Sequence, residues 1–218
     1  MSDHKITKTV YFVRHGQSEH NVAPIFQSPD SELSNIGIEQ AKYIANRVSR
    51  LSFDVLISSP FERAKQTAEE ISNKTGKIPE YCDLFIERVK PSSIYNKPYS
   101  DERASNLWRE WDKSLYTSGL KIEDGENYND LVNRADRALD FFNNRKEQSF
   151  VVVTHGFFLR MIIFRVLIGN FGNGNIFQHF QKASAMENTG LTVLRYQAGF
   201  EEQPRWRLWI YNDHAHLG

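Results

Sequence analysis

The sequence predicts an α/β fold, a three-layer α/β/α sandwich around a mainly parallel central sheet. Short apolar stretches rich in β-branched and aromatic residues alternate with segments of helical periodicity along the chain. Two of these stretches, residues 10–13 and 150–153, lead within two residues into a histidine followed by glycine. The 218 residues suit a single domain spanning 1–218, with a small inserted cap at about 90–125.

The first half of the chain contains two strand-to-helix units. The apolar run 10–13 predicts a buried strand, and the polar, proline-containing segment 17–34 predicts a loop over its tip. Ser34 has the residue type of a helix N-cap, and apolar residues then recur at helical spacing to about residue 50. A strand at 54–58 follows, and Pro60 starts the next helix.

The second half continues the alternation and ends in a hairpin. Residues 78–85 predict a weaker strand, because a proline stands near its start. Periodic apolar positions predict a helix at 127–143, and 150–168 reads as a strand followed by a buried helix. A glycine-rich turn and two final strands, joined as an antiparallel hairpin, complete the chain at 169–175, 191–196 and 206–211.

Histidine and arginine side chains follow the predicted strands where each strand ends. Arg14 and His15 come directly after the first strand, and His155 comes after the strand at 150–153. Ligands of open α/β sheets bind outside the carboxyl ends of the strands, so we expect these side chains to share one crevice. Arg63 lies in the first turn of the second helix, where free N–H groups favour a bound anion.

Charge and cysteine content restrict the function classes. The chain has 27 basic and 27 acidic residues, so it has no global basic field and neither nucleic acid nor an anionic membrane is an expected partner. The apolar segment 157–168 is too short to span a bilayer. One cysteine, Cys82, excludes an intramolecular disulfide. Together with the polar residues 1–8, which lack a signal-peptide pattern, this predicts a cytoplasmic protein.

The segment Arg14-His15-Gly16-Gln17-Ser18-Glu19-His20-Asn21 resembles the Arg-His-Gly-x-(Ser/Thr)-x-x-Asn signature of the histidine phosphatase superfamily, which includes the cofactor-dependent phosphoglycerate mutases. The likeness continues to residue 217 in the family's order. Its further pieces are Leu33-Ser34-x-x-Gly37-x-x-Gln40-Ala41, Ser58-Ser59-Pro60-x-x-Arg63-Ala64-x-x-Thr67-Ala68, Glu87, Thr154-His155-Gly156, Asn188-Thr189-Gly190 and Asn212-Asp213-x-x-His216-Leu217.

The resemblance implies a phosphoryl-transfer site. In the family, the histidine at the position of His15 becomes phosphorylated, and the residues matching Arg14, Arg63 and His155 bind the phosphoryl group. The chemistry agrees, because arginine presents a fixed fork of donors to phosphoryl oxygens and a neutral imidazole is a good nucleophile towards phosphorus.

Glu87 is the candidate general acid and base, since the family's acid also follows the third strand. One carboxylic acid can protonate the leaving alkoxide and then deprotonate water, provided burial or like charge favours its protonated form. Asn21 and Gln27 could add neutral donors from the leading loop, and Gly156 could donate a backbone N–H. His214 and His216 form an H-x-H pair, but without a third ligand in sequence we predict no metal and no cofactor.

The leading hypothesis is a metal-independent phosphomonoester hydrolase that works through phosphohistidine at His15. The first alternative is phosphoglycerate mutase-type phosphotransfer. Mutases of the family continue Glu-Arg-x-Tyr-Gly, whereas here Glu87-Arg88 precedes Val89-Lys90-Pro91, and residues 101–111 contain no adjacent pair of arginines. The second alternative is a catalytically inactive phosphate-binding scaffold, which loss of any one of the five principal residues would have favoured.

The predicted cap at 90–125 mixes aromatic and acidic residues. It either covers the sheet or also selects the substrate, and its acids are expected to repel a second anionic group on the substrate. The expected partner is a small phosphorylated molecule, with a phosphoprotein left open. The cap or the final hairpin could each support a homodimer.

Overall fold

The computed structural model describes residues 7–19, 23–198 and 205–218. The described strands are β1 (Thr7–Arg14), β2 (Val55–Ser58), β3 (Pro79–Tyr81), β4 (Ser149–Thr154), β5 (Leu191–Gln197) and β6 (Trp206–Asp213). The described α-helices are α1 (Asn35–Val48), α2 (Glu62–Thr75), α3 (Glu102–Lys113), α4 (Tyr128–Asn143), α5 (Gly156–Ile168) and α6 (Gly174–Ala183).

The strands form one mixed sheet in the order β3-β2-β4-β1-β5-β6. Strands β3, β2, β4 and β1 are parallel, whereas β5 pairs antiparallel with both β1 and β6. The predicted mainly parallel sheet and its final hairpin are therefore confirmed. In the central pair, Arg14 of β1 lies opposite Thr154 of β4. The two residues that follow, His15 and His155, consequently lie side by side at the carboxyl edge.

Alternation along the central strands produces the three layers. Phe12 and Val152 are buried in a cluster with residues of α4 and α5, whereas Val13 and Val153 are buried in a second cluster with residues of α1 and α2. Successive strand residues point to opposite faces, so an apolar run with no polar alternation buries both faces. The predicted α/β/α sandwich is thus confirmed.

Side-chain caps fix where two helices begin. The hydroxyl of Ser34 accepts the N–H of Gly37 at 3.1 Å, as its residue type predicted. At α4 the Asn127 side chain accepts the N–H of Asp130 at 3.0 Å, and the Asp130 carboxylate accepts the N–H of Asn127 at 3.0 Å. These bonds satisfy amide groups that have no partner within the helix.

The predicted strand at 78–85 is wrong beyond residue 81. The Cys82 N–H makes a final sheet bond to the Ser58 carbonyl at 2.9 Å, and residues Asp83–Phe85 then form a 3₁₀ turn. The turn lets the Phe85 ring enter the core, where it is fully buried. Burial of one large aromatic ring therefore prevails over continued pairing at the sheet edge.

The predicted turn at 169–175 is shorter than expected, because α6 begins at Gly174 and its N-cap Asn173 accepts the N–H of Ile176 at 3.1 Å. Between β3 and α4 the segment 90–125 contains α3, which packs on a small cluster of Phe26, Ile94 and Ala104. Its description as a cap insertion stays a prediction. None of the helices in the described residues has the length and apolarity needed to cross a membrane.

Candidate active site

The ring of His15 is buried, and its hydrogen bonds define which nitrogen carries the proton. Its Nδ1 lies 2.6 Å from the carbonyl oxygen of Gly16. A carbonyl can only accept, so Nδ1 carries the hydrogen and Nε2 has a free electron pair. The Nε–H of Arg63 faces that Nε2 atom at 3.2 Å. The nitrogen available to a phosphorus atom is thus the one that points at a guanidinium group.

His155 lies beside His15, with ring centroids 4.9 Å apart. Its Nε2 is 2.8 Å from the hydroxyl of Ser59, which also accepts the N–H of Phe61 at 3.2 Å. A hydroxyl that accepts one N–H can still donate its own proton, so this contact accommodates the tautomer of His155 in which Nε2 accepts and Nδ1 carries the proton. Nδ1 is buried and has no hydrogen-bond partner among the described residues. In that tautomer, Nδ1–H is a preformed donor for a ligand.

Two arginines complete the positively charged part of the site. Arg14 donates Nη1–H to the carbonyl of Met186, and its buried Nε has no partner in the described part of the chain. Arg63 is 2% exposed and donates Nη1–H to the Ser28 carbonyl at 3.2 Å. Gly156 leaves room for Arg14, since a β-carbon there would lie 3.2 Å from the Arg14 Nε.

Burial and positive charge keep both imidazoles neutral. Burial, followed by the charges of Arg63 and Arg14, holds the pKa of His15 well below its usual value. The pKa of His155 is also held well below its usual value, mainly by burial, then by the charge of Arg63, and then by His15. Burial also lowers the pKa of Arg63 to about 10, so this guanidinium is charged at neutral pH. The cluster thus pairs two neutral rings with fixed positive charge, which is suited to a dianion.

Glu87 is held at the N-terminus of α5. Its carboxylate accepts the N–H groups of Phe157 at 3.2 Å and Phe158 at 2.9 Å, and also that of Arg88 at 2.9 Å. These helix N–H groups lack partners within the helix, which explains why an acid is stable there. Glu87 lines the same small cavity as Arg63. The carboxylate and the guanidinium can therefore act on one ligand.

The segment before β5 fixes the backbone of the Arg14-His15 turn. Thr189 has φ of +57°, an unusual conformation for a β-branched residue, and its N–H donates to the Arg14 carbonyl at 2.9 Å. The Asn188 side chain donates to the His15 carbonyl at 2.9 Å. The Thr189 hydroxyl also lies 3.0 Å from Nε2 of His216, so the last turn of the chain supports the site through hydrogen bonds.

The structure brings five of the residues singled out in the sequence, Arg14, His15, Arg63, His155 and Gly156, into one cluster at the carboxyl edge of the sheet. Glu87 and Gln27 lie in the wall of the adjoining cavity. Asn21 lies outside the described residues.

Sequence reasoning missed two residues of the site. Ser59, which orients His155, stands in the turn before α2, and its signal was the polar pair 58–59 at a strand end. Lys90, three residues after Glu87, lies with it in the wall of the cavity. The local sequence around Lys90 did not indicate that its side chain would point there. No group of three or more His, Cys, Asp or Glu within the described ranges could hold a metal ion.

Comparison with known proteins gives one family match and several relatives. Residues 10–209 match the sequence profile described as "Histidine phosphatase superfamily (branch 1)". The chain is 28% identical over 212 residues to a protein of Yersinia pestis (strain Pestoides F) named as a probable phosphoglycerate mutase, GpmB. That alignment covers 95% of this chain and 94% of the relative.

Two solved structures have the same fold. One is a mycobacterial glucosyl-3-phosphoglycerate phosphatase, with 21% identity, a TM-score of 0.70, and coverage of 95% of this chain and all of that chain. The other is an alpha-ribazole phosphatase from Shigella flexneri, with 20% identity, a TM-score of 0.74, and coverage of 94% and 96%. At this level of identity the likeness establishes the fold.

Proposed function

The chain belongs to the histidine phosphatase superfamily, branch 1, and on that premise we propose that it is a phosphomonoester hydrolase acting through a phosphohistidine on His15. The observation that carries the proposal is the protonation pattern of His15. Its Nδ1–H is held by the Gly16 carbonyl and its Nε2 electron pair faces Arg63. A buried neutral nucleophile is thus aimed at a cation that can receive phosphoryl oxygens.

In the first step, the Nε2 electron pair of His15 attacks phosphorus and the bond from phosphorus to the ester oxygen breaks. Arg14, Arg63 and Nδ1–H of His155 stabilise the charge that develops on the phosphoryl oxygens. The departing alkoxide takes a proton from Glu87.

In the second step, a water molecule gives a proton to the Glu87 carboxylate and its oxygen attacks phosphorus. The bond between phosphorus and Nε2 breaks, His15 regains its electron pair, and inorganic phosphate leaves. The two arginines supply fixed charge throughout, which supports the proposal that neither step needs a metal ion.

A phosphoglycerate mutase activity is the second candidate, favoured by the name of the Yersinia relative. A mutase would return the phosphoryl group from His15 to another hydroxyl of the same substrate instead of to water. Arg88, which follows the catalytic acid, is buried and donates to the Trp111 carbonyl at 2.9 Å and the Ser114 hydroxyl at 3.1 Å. Because these donors contact the protein, Arg88 is poorly placed to hold a substrate, and hydrolysis is the better proposal.

The proposed substrate is a small phosphorylated molecule, with a phosphoprotein as the alternative. Cytoplasmic location, absence of nucleic-acid binding and a homodimer remain predictions from the sequence. The inactive-scaffold alternative is disfavoured, because Arg14, His15, Arg63, Glu87 and His155 all lie at or beside the cluster.

The direct test is release of inorganic phosphate from p-nitrophenyl phosphate in the presence of EDTA. We expect turnover by the native chain and loss of more than about a thousandfold in His15→Ala, since removal of a covalent nucleophile abolishes the two-step path. His179→Ala, on the exposed side of α6, is the matched control. An acid-labile phosphoprotein should be trapped in the native chain and in the control, and should be absent from His15→Ala.

Three results would separate the candidates. Turnover that requires an added metal ion would overturn the metal-independent mechanism. Isomerisation of a phosphoglycerate without phosphate release would favour the mutase. Saturable phosphate binding with no chemistry in any substrate would favour the scaffold.

A further inference from the structure

A cleft of about 550 Å³ adjoins the proposed phosphoryl site. It shares Gln27 and Lys90 with the small cavity that Arg63 and Glu87 line, so the two spaces meet at these two residues. A phosphoryl group held by Arg63 would place the rest of its ester on the side of Lys90. The volume falls in the range of pockets that hold small organic ligands.

One wall of the cleft is aromatic. Phe26 and Trp108 are stacked at 6.4 Å and 30° between planes, and Tyr99 meets Phe26 edge to face at 4.8 Å. Trp108 is 38% exposed and Tyr99 is 53% exposed, which leaves open ring surface. Open aromatic faces recognise flat apolar or aromatic groups. The leaving group that fits this wall is therefore one with a ring.

The charged residues of the cleft lining are cations. The Lys90 ammonium donates one hydrogen bond to an acceptor in the described part of the chain, the Gln27 carbonyl at 2.9 Å. An ammonium has three N–H donors, so two remain for a ligand. Arg109, which is exposed, also lines the cleft. Burial, followed by the charge of Arg63, lowers the pKa of Lys90 to about 8, so it remains mostly charged at neutral pH.

Three acids of the predicted cap have partners outside the cleft lining. Asp112 pairs with Arg88 at 3.5 Å, Glu110 pairs with Lys113 at 2.6 Å, and Asp124 accepts the N–H of Ser92 at 2.9 Å. No carboxylate side chain is among the described residues that line the cleft. The cleft lining therefore gives no support to the expectation that the cap repels a second anionic group.

We propose that the physiological substrate is a phosphomonoester whose alcohol carries an aromatic ring and an anionic group, with the ring on the Phe26-Trp108 wall and the anionic group on Lys90. The proposal rests on the hydrolase function above and adds the substrate class. The position of Lys90, at the junction of cavity and cleft, requires the anionic group to lie close to the ester oxygen. Arg109 adds a second positive charge to the cleft lining.

Four alkyl phosphates test the ring and the anion separately: ethyl phosphate, phosphoglycolate, benzyl phosphate and 2-carboxybenzyl phosphate. All leave as alkoxides, so differences in kcat/KM report recognition more than leaving-group chemistry. We expect 2-carboxybenzyl phosphate to exceed benzyl phosphate by about tenfold, the effect of one charge-assisted hydrogen bond. Benzyl phosphate should exceed ethyl phosphate by about fivefold, the effect of one aromatic contact.

Two substitutions assign these preferences. Lys90→Met keeps chain length without charge and should reduce the carboxylate preference about tenfold, whereas Trp108→Ala should reduce the ring preference about fivefold. The matched control is Trp209→Ala, because Trp209 is 58% exposed on the edge strand β6. It should leave both ratios at the native values. Equal kcat/KM for all four esters in the native chain would overturn the proposed substrate class.

Calorimetric titration with benzylphosphonate and 2-carboxybenzylphosphonate separates this inference from the hydrolase proposal. A tighter carboxylated ligand that loses its advantage in Lys90→Met supports the substrate class even if no ester is hydrolysed. Rapid hydrolysis with no carboxylate preference in turnover or binding keeps the hydrolase and overturns the substrate class.

Discussion

Acidification between pH 7.5 and 5.5 should destabilise this protein through His15 and His155. Both rings are buried, at 3% and 0% exposure, and burial beside arginine charge holds the pKa of each well below its ordinary value. The unfolded chain titrates these groups near pH 6.5. Below that pH the unfolded state binds more protons than the folded state, so the free energy of unfolding falls as pH falls.

The magnitude follows from linkage. A histidine that stays neutral in the folded state loses about 1.4 kcal/mol of stability for each pH unit below its unfolded pKa. Integration from pH 7.5 to 5.5 gives about 1.4 kcal/mol for one ring and about 2.7 kcal/mol for both. These are upper values, because any protonation in the folded state reduces them.

The assay is urea unfolding of the native chain, His15→Gln and the double variant His15→Gln/His155→Gln at both pH values. Each variant is compared with itself, so the direct effect of the substitution on packing cancels. The drop in free energy of unfolding should shrink by about 1.4 kcal/mol in the single variant and about 2.7 kcal/mol in the double variant. His179→Gln, on the exposed side of α6, should keep the native drop.

An equal drop in the native chain and the double variant would refute the reasoning. It would mean that the folded protein takes up protons on these rings as readily as the unfolded chain does. The neutral nucleophile on which the proposed mechanism depends would then lack support.

Three further outcomes test the site and its frame. Glu87→Gln should lower kcat/KM for ethyl phosphate by about a hundredfold and for p-nitrophenyl phosphate far less, because kcat/KM reports phosphoryl transfer to His15 and only the poor leaving group needs a proton in that step; equal losses would count against Glu87 as the acid. Ser59→Ala should lower kcat about tenfold, and ¹⁵N NMR of the His155 ring should show loss of the single Nδ1–H tautomer; an unchanged spectrum would contradict the assignment. Gly37→Ala, whose β-carbon would lie 1.9 Å from the Gln17 carbonyl oxygen, should reduce the free energy of unfolding by about 3 kcal/mol, and an unchanged urea midpoint would contradict the close packing.

Local patterns were sufficient where a physical rule acts within a few residues. The N-cap of α1 appeared in the sequence as Ser34, because capping depends on one side chain and the next amides. The end of β3 did not, since burial of the Phe85 ring depends on residues far away in the chain. Helix α3 was not predicted either, because the segment 90–125 was interpreted from its aromatic and acidic composition and not from its periodicity.

The sequence by itself determined that two apolar strands end in His-Gly and that a parallel sheet would bring His15 and His155 to one edge. Strand periodicity and the direction of parallel strands are sufficient for that inference. Only the tertiary structure decided which nitrogen of His15 is free, because the Gly16 carbonyl can only accept and lies against Nδ1. Packing likewise decided where the Lys90 side chain points and which partners the cap acids have. Most of these contacts join residues that are distant in sequence, and local patterns do not predict such contacts.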